Sequence, residues 1–144
     1  SLEEKCGYYG EKLVLFAQEL GLNTCWVAMT YSKIKTAFQV EKGEKLCIVI
    51  ALGYGETQGL PHKSKSMEEV IQLDGPAPEW FQKGVEAALL APTAMNQQKF
   101  LFRLDKNRVS VKAGFGFYTK IDMGIVKYHF ELGAGKEHFQ WELS

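Results

Sequence analysis

Residues 46 to 52, Leu46-Cys47-Ile48-Val49-Ile50-Ala51-Leu52, form an unbroken apolar run with several β-branched side chains, closed by Gly53. A run of this length and composition reads as a strand buried on both faces. Such a strand needs covering layers, so amphipathic helices must come from elsewhere in the chain. Two segments have the required pattern. From Tyr9 to Leu20 the residues Tyr9, Leu13, Phe16, Ala17 and Leu20 recur at helical spacing, and Gly21 supplies a stop. From Glu79 to Leu90 the apolar face is Phe81, Val85, Ala88 and Leu89, entered after the breaks at Pro76 and Pro78.

The remaining punctuation divides the chain further. A short helix is expected around Ser32 to Phe38, then a turn at Glu41-Lys42-Gly43-Glu44. Ser66-Met67-Glu68-Glu69 has capping-box spacing and predicts a short helix start. Phe100–Leu104 and Val109–Ala113 read as antiparallel strands joined by a tight connection over Asp105 to Arg108. Asp122 is expected to cap a helix from about Met123 to Leu132, ended by Gly133 and Gly135. Phe139, Trp141 and Leu143 alternate with polar residues as a strand would. Together these predict an α+β fold, with helices on a mixed or antiparallel sheet and without the alternation of a doubly wound fold. A length of 144 residues suits one domain over residues 1–144.

Composition removes several function classes. Lys plus Arg and Asp plus Glu number 17 each, so no basic field attracts nucleic acid or an anionic membrane. No apolar run approaches the roughly 20 residues of a membrane span, and the N-terminus lacks the apolar core of a signal peptide. A soluble cytoplasmic protein is the expectation. Cys6, Cys25 and Cys47 are expected to be reduced, packed thiols, and with the scattered His62, His129 and His138 they provide no metal-site spacing. His129 is expected to be a satisfied structural residue, and Glu131 and the Glu68-Glu69 pair to be helix surface or cap. The chain does not begin with Met and enters its first helix with little lead-in, which raises the expectation of processing or truncation.

Three segments could carry chemistry. Lys63-Ser64-Lys65, in a Gly-rich loop before the capping box, can aim two ammonium groups and a hydroxyl at one phosphate, with the next helix N-terminus adding donors. The alternative is a solvated basic turn. Ala91-Pro92-Thr93-Ala94-Met95-Asn96-Gln97-Gln98 is dense in side chains that both donate and accept, which suits a heteroaromatic ring bearing carbonyls and nitrogens. The alternative is a polar connector in which Asn96 and Gln98 satisfy nearby backbone. Gly21-Leu22-Asn23-Thr24-Cys25-Trp26 leaves a helix through Gly with backbone amides that nothing local must consume. Cys25 there reads as a packed small hydrophobe rather than a nucleophile.

These segments resemble the FMN-dependent nitroreductase family, in the branch whose single chain imitates the usual dimer. Gly21 to Val27 is similar to its Gly-Leu-Gly-Thr-Cys-Trp segment. Leu52-Gly53-Tyr54-Gly55, His62 to Lys65 and Ser66 to Val70 are similar to its Leu-Gly-Tyr, basic pair and Leu-Glu-Glu-Val ending. Ala91 to Gln98 is similar to its Ala-Pro-Ser-x-x-Asn-x-Gln motif, and the likeness continues through Asp122-Met123-Gly124-Ile125 and His129-Phe130-Glu131-Leu132.

The resemblance implies a nitroreductase-like sheet flanked by helices and an FMN cofactor reduced by NADH or NADPH. The acceptor would be a nitroaromatic, a quinone or a similar small molecule. It gives Lys63 and Lys65 the flavin phosphate and the backbone at Leu22, Asn23 and Thr24 the reactive edge of the ring. Pro92, Thr93, Ala94, Asn96 and Gln98 would line its other side. No side chain is implied as catalytic acid or base, and no metal. A flavin-binding or sensing domain without turnover is the alternative function. Asn23 stands where the family has Gly, Lys99-Phe100 where it has Pro-Trp, and the family's Arg-rich phosphate segment has no counterpart. That last departure implies completion by a second identical chain or a missing N-terminal segment.

Overall fold

Helix α1 spans Leu2–Glu19, and Gly21 then takes a φ of 77° that turns the chain out of the helix. In this computed structural model residues 1–32 and 38–142 are described. The helix starts earlier than the expected Tyr9 and buries a different face. Tyr9, Leu13, Phe16 and Leu20 are each more than half exposed, whereas Gly7, Gly10, Glu11, Val14 and Ala17 are buried. Of the expected face only Ala17 is buried; positions 7, 10, 14 and 17 recur at the three-to-four spacing of a helix just as 9, 13, 16 and 20 do, so periodicity could not choose between them.

Backbone proximity made the choice. A Cβ on Gly7 would stand 2.0 Å from the Ile121 carbonyl oxygen, and one on Gly124 would stand 2.0 Å from that of Glu4. Gly124→Ala is therefore expected to cost about 1–3 kcal/mol through overpacking against backbone that cannot rotate aside. A thermal midpoint equal to the parent's would mean that the two segments part freely.

The described chain forms two compact units, Lys12–Gly59 and the combination of Ser1–Glu11 with Leu60–Ser144. In the first, β1 (Asn23–Val27) pairs antiparallel with β2 (Val49–Gly53), from Asn23 opposite Gly53 to Val27 opposite Val49. The strand expected over 46–52 is thus shorter and shifted, and it is not buried on both faces. Its residues are half-buried at Val49 and Ile50 and exposed from Ala51 onward, because a two-stranded ribbon has no second layer of its own. The Glu41–Glu44 turn closes with Glu44 N–H donating to the Glu41 carbonyl at 3.0 Å and Gly43 at φ 94°. The helix expected over 32–38 lies mostly outside the described residues.

The second unit holds β3 (Ile71–Gln72), α2 (Glu79–Ala88), β4 (Phe100–Asp105), β5 (Arg108–Ala113), α3 (Thr119–Ala134) and β6 (Gln140–Trp141). The sheet order is β3-β4-β5-β6. The outer pairs are parallel and the central pair antiparallel. Parallel neighbours need a crossover, and α2 and α3 supply one each. The central pair is the expected hairpin, turned through Lys106 and Asn107. The β6 strand matches part of the expected C-terminal strand, and Leu143 lies outside the described residues.

Phe81, Val85 and Ala88 of α2 are buried as expected, with Phe102, Val109, Val126 and Phe130. The Phe130 ring stacks on Phe102 at 4.8 Å and meets Phe81 edge-on at 5.6 Å, geometries worth roughly 0.5–1.5 kcal/mol each beyond area burial. Gly84 and Gly133 let α2 and α3 approach, since a Cβ on Gly133 would be 2.3 Å from the Lys83 carbonyl oxygen. The result is the α+β architecture expected from the sequence, with helices beside a mixed sheet.

Three side-chain expectations need correction. Cys25 is exposed rather than packed, in a strand whose other four residues are half-buried. Glu131 is buried and partnered rather than a surface residue. It accepts from the Tyr8 hydroxyl, from Trp141 Nε1 at 2.8 Å and from Lys136 Nζ at 2.5 Å. Partners 123 and 10 residues distant carried no local signal. Asp122 is no N-cap: α3 begins at Thr119, and Asp122 lies inside its first turn.

Candidate functional site

Within the larger unit, the Lys63–Lys65 and Thr93–Gln98 segments interlock through Gln98. Its side-chain oxygen accepts from Lys65 N–H at 2.8 Å, and its amide nitrogen donates to the Lys63 carbonyl at 2.8 Å and to Asn96 Oδ1 at 2.8 Å. The Gln98 carbonyl accepts from Lys65 Nζ at 3.0 Å. Asn96 Nδ2 donates to the Lys63 carbonyl at 3.0 Å, and Thr93 Oγ1 accepts from Gln98 N–H at 3.0 Å. Gln98 is 3% exposed, so these bonds satisfy a side chain that would be costly to bury alone.

The sequence-predicted residues Lys63, Lys65, Thr93, Asn96 and Gln98 therefore form one hydrogen-bonded cluster. Pro92 and Ala94 lie half-buried in the same segment. The Lys63 side chain is exposed and that of Lys65 is half-buried. Two details differ from expectation. The Ser64 hydroxyl donates to the Leu89 carbonyl at 3.0 Å, beside His62 Nε2 at 2.9 Å from the same oxygen, so it points into the protein and not toward a ligand. The helix after the loop is a single turn, Met67–Glu69, closed by Glu69 accepting from Ser66 N–H at 2.9 Å. Three residues sum too few peptide dipoles to act as an anion-binding helix end.

The 93–98 segment carries backbone strain. Met95, Asn96 and Gln98 have φ of 52°, 51° and 45°, the left-handed region that side chains disfavour. Each costs on the order of 1 kcal/mol or more, and such residues cluster where a loop is held for function. What holds it here is Asp122, which sequence reasoning read only as a cap. Its Oδ1 accepts from Ala94 N–H at 3.0 Å and its Oδ2 from Gln97 Nε2 at 2.6 Å. Gln97 Nε2 also donates to the Phe117 carbonyl at 2.7 Å. Burial pushes the Asp122 carboxyl above the ordinary Asp range, while the bonds from Ala94 and Gln97 pull it down. The carboxylate lies 28 residues from Ala94, a separation that sequence spacing does not reveal.

Leu22, Asn23 and Thr24 lie in the smaller unit. With Gln18, Gly21 and Thr57 to Gly59 they line an open cleft of about 330 Å³. Their amides are not all free as expected, because Asn23 and Thr24 belong to β1, where alternate N–H groups face the partner strand. The Asn23 side chain holds the glycine-rich loop, its Oδ1 accepting from Gly55 N–H at 2.9 Å and its Nδ2 donating to Gln58 Oε1 at 3.2 Å.

Residues 1–134 match the family model described as "Putative TM nitroreductase". The chain is also similar in fold to a solved protein from Thermotoga maritima described as a putative nitroreductase, with a TM-score of 0.71 and 24% sequence identity. That likeness covers 91% of this chain and 54% of the other, so the chain spans about half the length of that relative. No curated protein matches it. With the family model covering nearly the whole sequence, the chain belongs to the putative TM nitroreductase family.

Proposed function

We propose that the chain is an FMN-dependent oxidoreductase domain of the nitroreductase type, passing hydride from NADH or NADPH to a nitroaromatic, a quinone or a similar acceptor. The observation that carries this reading is the Gln98-centred lock. It ties the Lys63 backbone carbonyl and the Lys65 ammonium to a strained loop rich in amides, in a member of this family.

The donor set suits a phosphate and a polar ring edge. Lys63 contributes an exposed ammonium, and Lys65 contributes one whose Gln98 bond leaves two of its three donor hydrogens for an anion. Gln98 is engaged wholly within the protein, so its part is to hold both lysines rather than to touch the cofactor. Asn96 keeps one amide hydrogen beyond its bond to Lys63, which suits a ring carbonyl. Leu22, Asn23 and Thr24 keep the ring-facing role that family likeness gives them; the Leu22 N–H donates to the Ala17 carbonyl at 2.9 Å, so the donor for the ring comes from β1, where alternate N–H groups face outward.

Bound flavin supplies the hydride chemistry, and the protein contributes orientation and backbone donors. Association of two identical chains is part of the same reading.

FMN titration followed by anaerobic mixing with NADH or NADPH tests the proposal. The expected result is saturable binding and bleaching of the oxidised flavin band. Tight binding without bleaching would make the protein a flavin-holding or sensing domain instead. Asn96→Leu is expected to lower flavin occupancy about tenfold with near-parental circular dichroism, since it removes two loop bonds, to the Lys63 carbonyl and from Gln98 Nε2, and one ring donor. Parental occupancy in that variant would remove Asn96 from the site.

A further inference from the structure

We infer that Asp122 is a positioning residue for the cofactor loop, acting through Ala94 and Gln97. The inference rests on the flavin reading above and extends it to a carboxylate that contacts no ligand. Three observations carry it. The carboxylate is 5% exposed, yet both its oxygens accept from the 93–98 segment, one from a backbone N–H and one from a side chain. That segment holds three left-handed non-glycine residues, a conformation that persists only where the surroundings fix it.

Gln97 also makes Asp122 a link between two loops. Its amide nitrogen uses one hydrogen on Asp122 and the other on the Phe117 carbonyl, so the segment entering α3 and the 93–98 loop share one anchor. The fit at this point is close, because a Cβ on Gly116 would stand 2.4 Å from Gln97 Oε1. Lys99 Nζ donates to the Phe115 carbonyl at 2.8 Å and Gly114 N–H to the Lys99 carbonyl at 2.8 Å, so the 114–118 segment is itself well fixed. Asp122 thus holds the loop from a rigid helix, and the loop in turn holds Lys63 and Lys65 through Gln98 and Asn96.

The test compares Asp122→Ala with Asp122→Asn. Asn can still accept from Ala94 N–H but cannot accept from Gln97 with an oxygen in the Oδ2 place. FMN affinity, read by flavin fluorescence, is expected to fall about tenfold or more in Asp122→Ala and by a smaller factor in Asp122→Asn. In the flavin-free protein, exchange of the Ala94 amide hydrogen is expected to speed about tenfold or more in Asp122→Ala, while that of Phe102 in the sheet holds. A merely structural role would lower the thermal midpoint of both variants and leave the FMN affinity of the folded protein unchanged, and that result overturns the inference. A parent chain that binds no FMN would instead overturn the flavin reading, and the Ala94 exchange would then still decide whether Asp122 fixes the loop.

Discussion

Glu11→Leu is expected to lower the stability of this protein by about 3–5 kcal/mol, the usual cost of removing one member of a buried hydrogen-bonded charge pair. Glu11 is 1% exposed and lies 2.8 Å from His129 Nε2, while His129 Nδ1 faces the Ala87 carbonyl at 3.1 Å. A carbonyl and a carboxylate both accept, so either the ring carries hydrogens on both nitrogens or Glu11 holds a proton and donates it to Nε2. The three groups belong to α1, α2 and α3, so the bond ties three helices together. Removing the carboxylate strands a polar nitrogen where water has little access. The double variant Glu11→Leu with His129→Leu is expected to recover part of the loss, because matched apolar groups replace buried pairs at small cost. Urea unfolding of the two single variants and the double variant measures the coupling. Additive losses would mean that the two side chains do not act as a pair.

Replacing both Lys63 and Lys65 by Ala is expected to weaken FMN binding by roughly 3–6 kcal/mol, from two charge-assisted bonds at about 1.5–3 kcal/mol each. The two positions are not equivalent. Lys63 meets the 93–98 loop through its backbone carbonyl, which Lys63→Ala keeps, so that variant reports on the ammonium alone. Lys65→Ala also removes the bond to the Gln98 carbonyl and is expected to loosen the loop as well. Binding should weaken with added salt in the parent and less so in the double variant, since screening acts on the charges removed. Equal FMN affinity in parent and double variant would take the phosphate away from this loop.

Elements whose signal is local were legible in the sequence. The face of α2, the β4–β5 hairpin, the Glu41–Glu44 turn and the stops at Gly21 and Gly135 follow from neighbouring residues, because turn chemistry and helical spacing act within a few positions. The α+β class and the family motifs were legible for the same reason, as short strings with fixed internal spacing. The sequence also brought Lys63, Lys65, Thr93, Asn96 and Gln98 to notice, though in two separate segments.

Only the tertiary structure decided what those segments do to each other. Two helical stripes on α1 had equal periodicity, and the buried one was selected by backbone contact at Gly7 and Gly124, which no pattern of hydropathy records. The run at 46–52 was apolar enough for a core strand but became half of a ribbon, because burial depends on a second layer that composition cannot guarantee. Asp122 looked like a helix cap and Glu131 like a surface or cap residue, and nothing in the local sequence marked Glu11. They became buried anchors because their partners stand 28, 123 and 118 residues away, and a hydrogen bond across that distance exists only once the fold has brought both ends together.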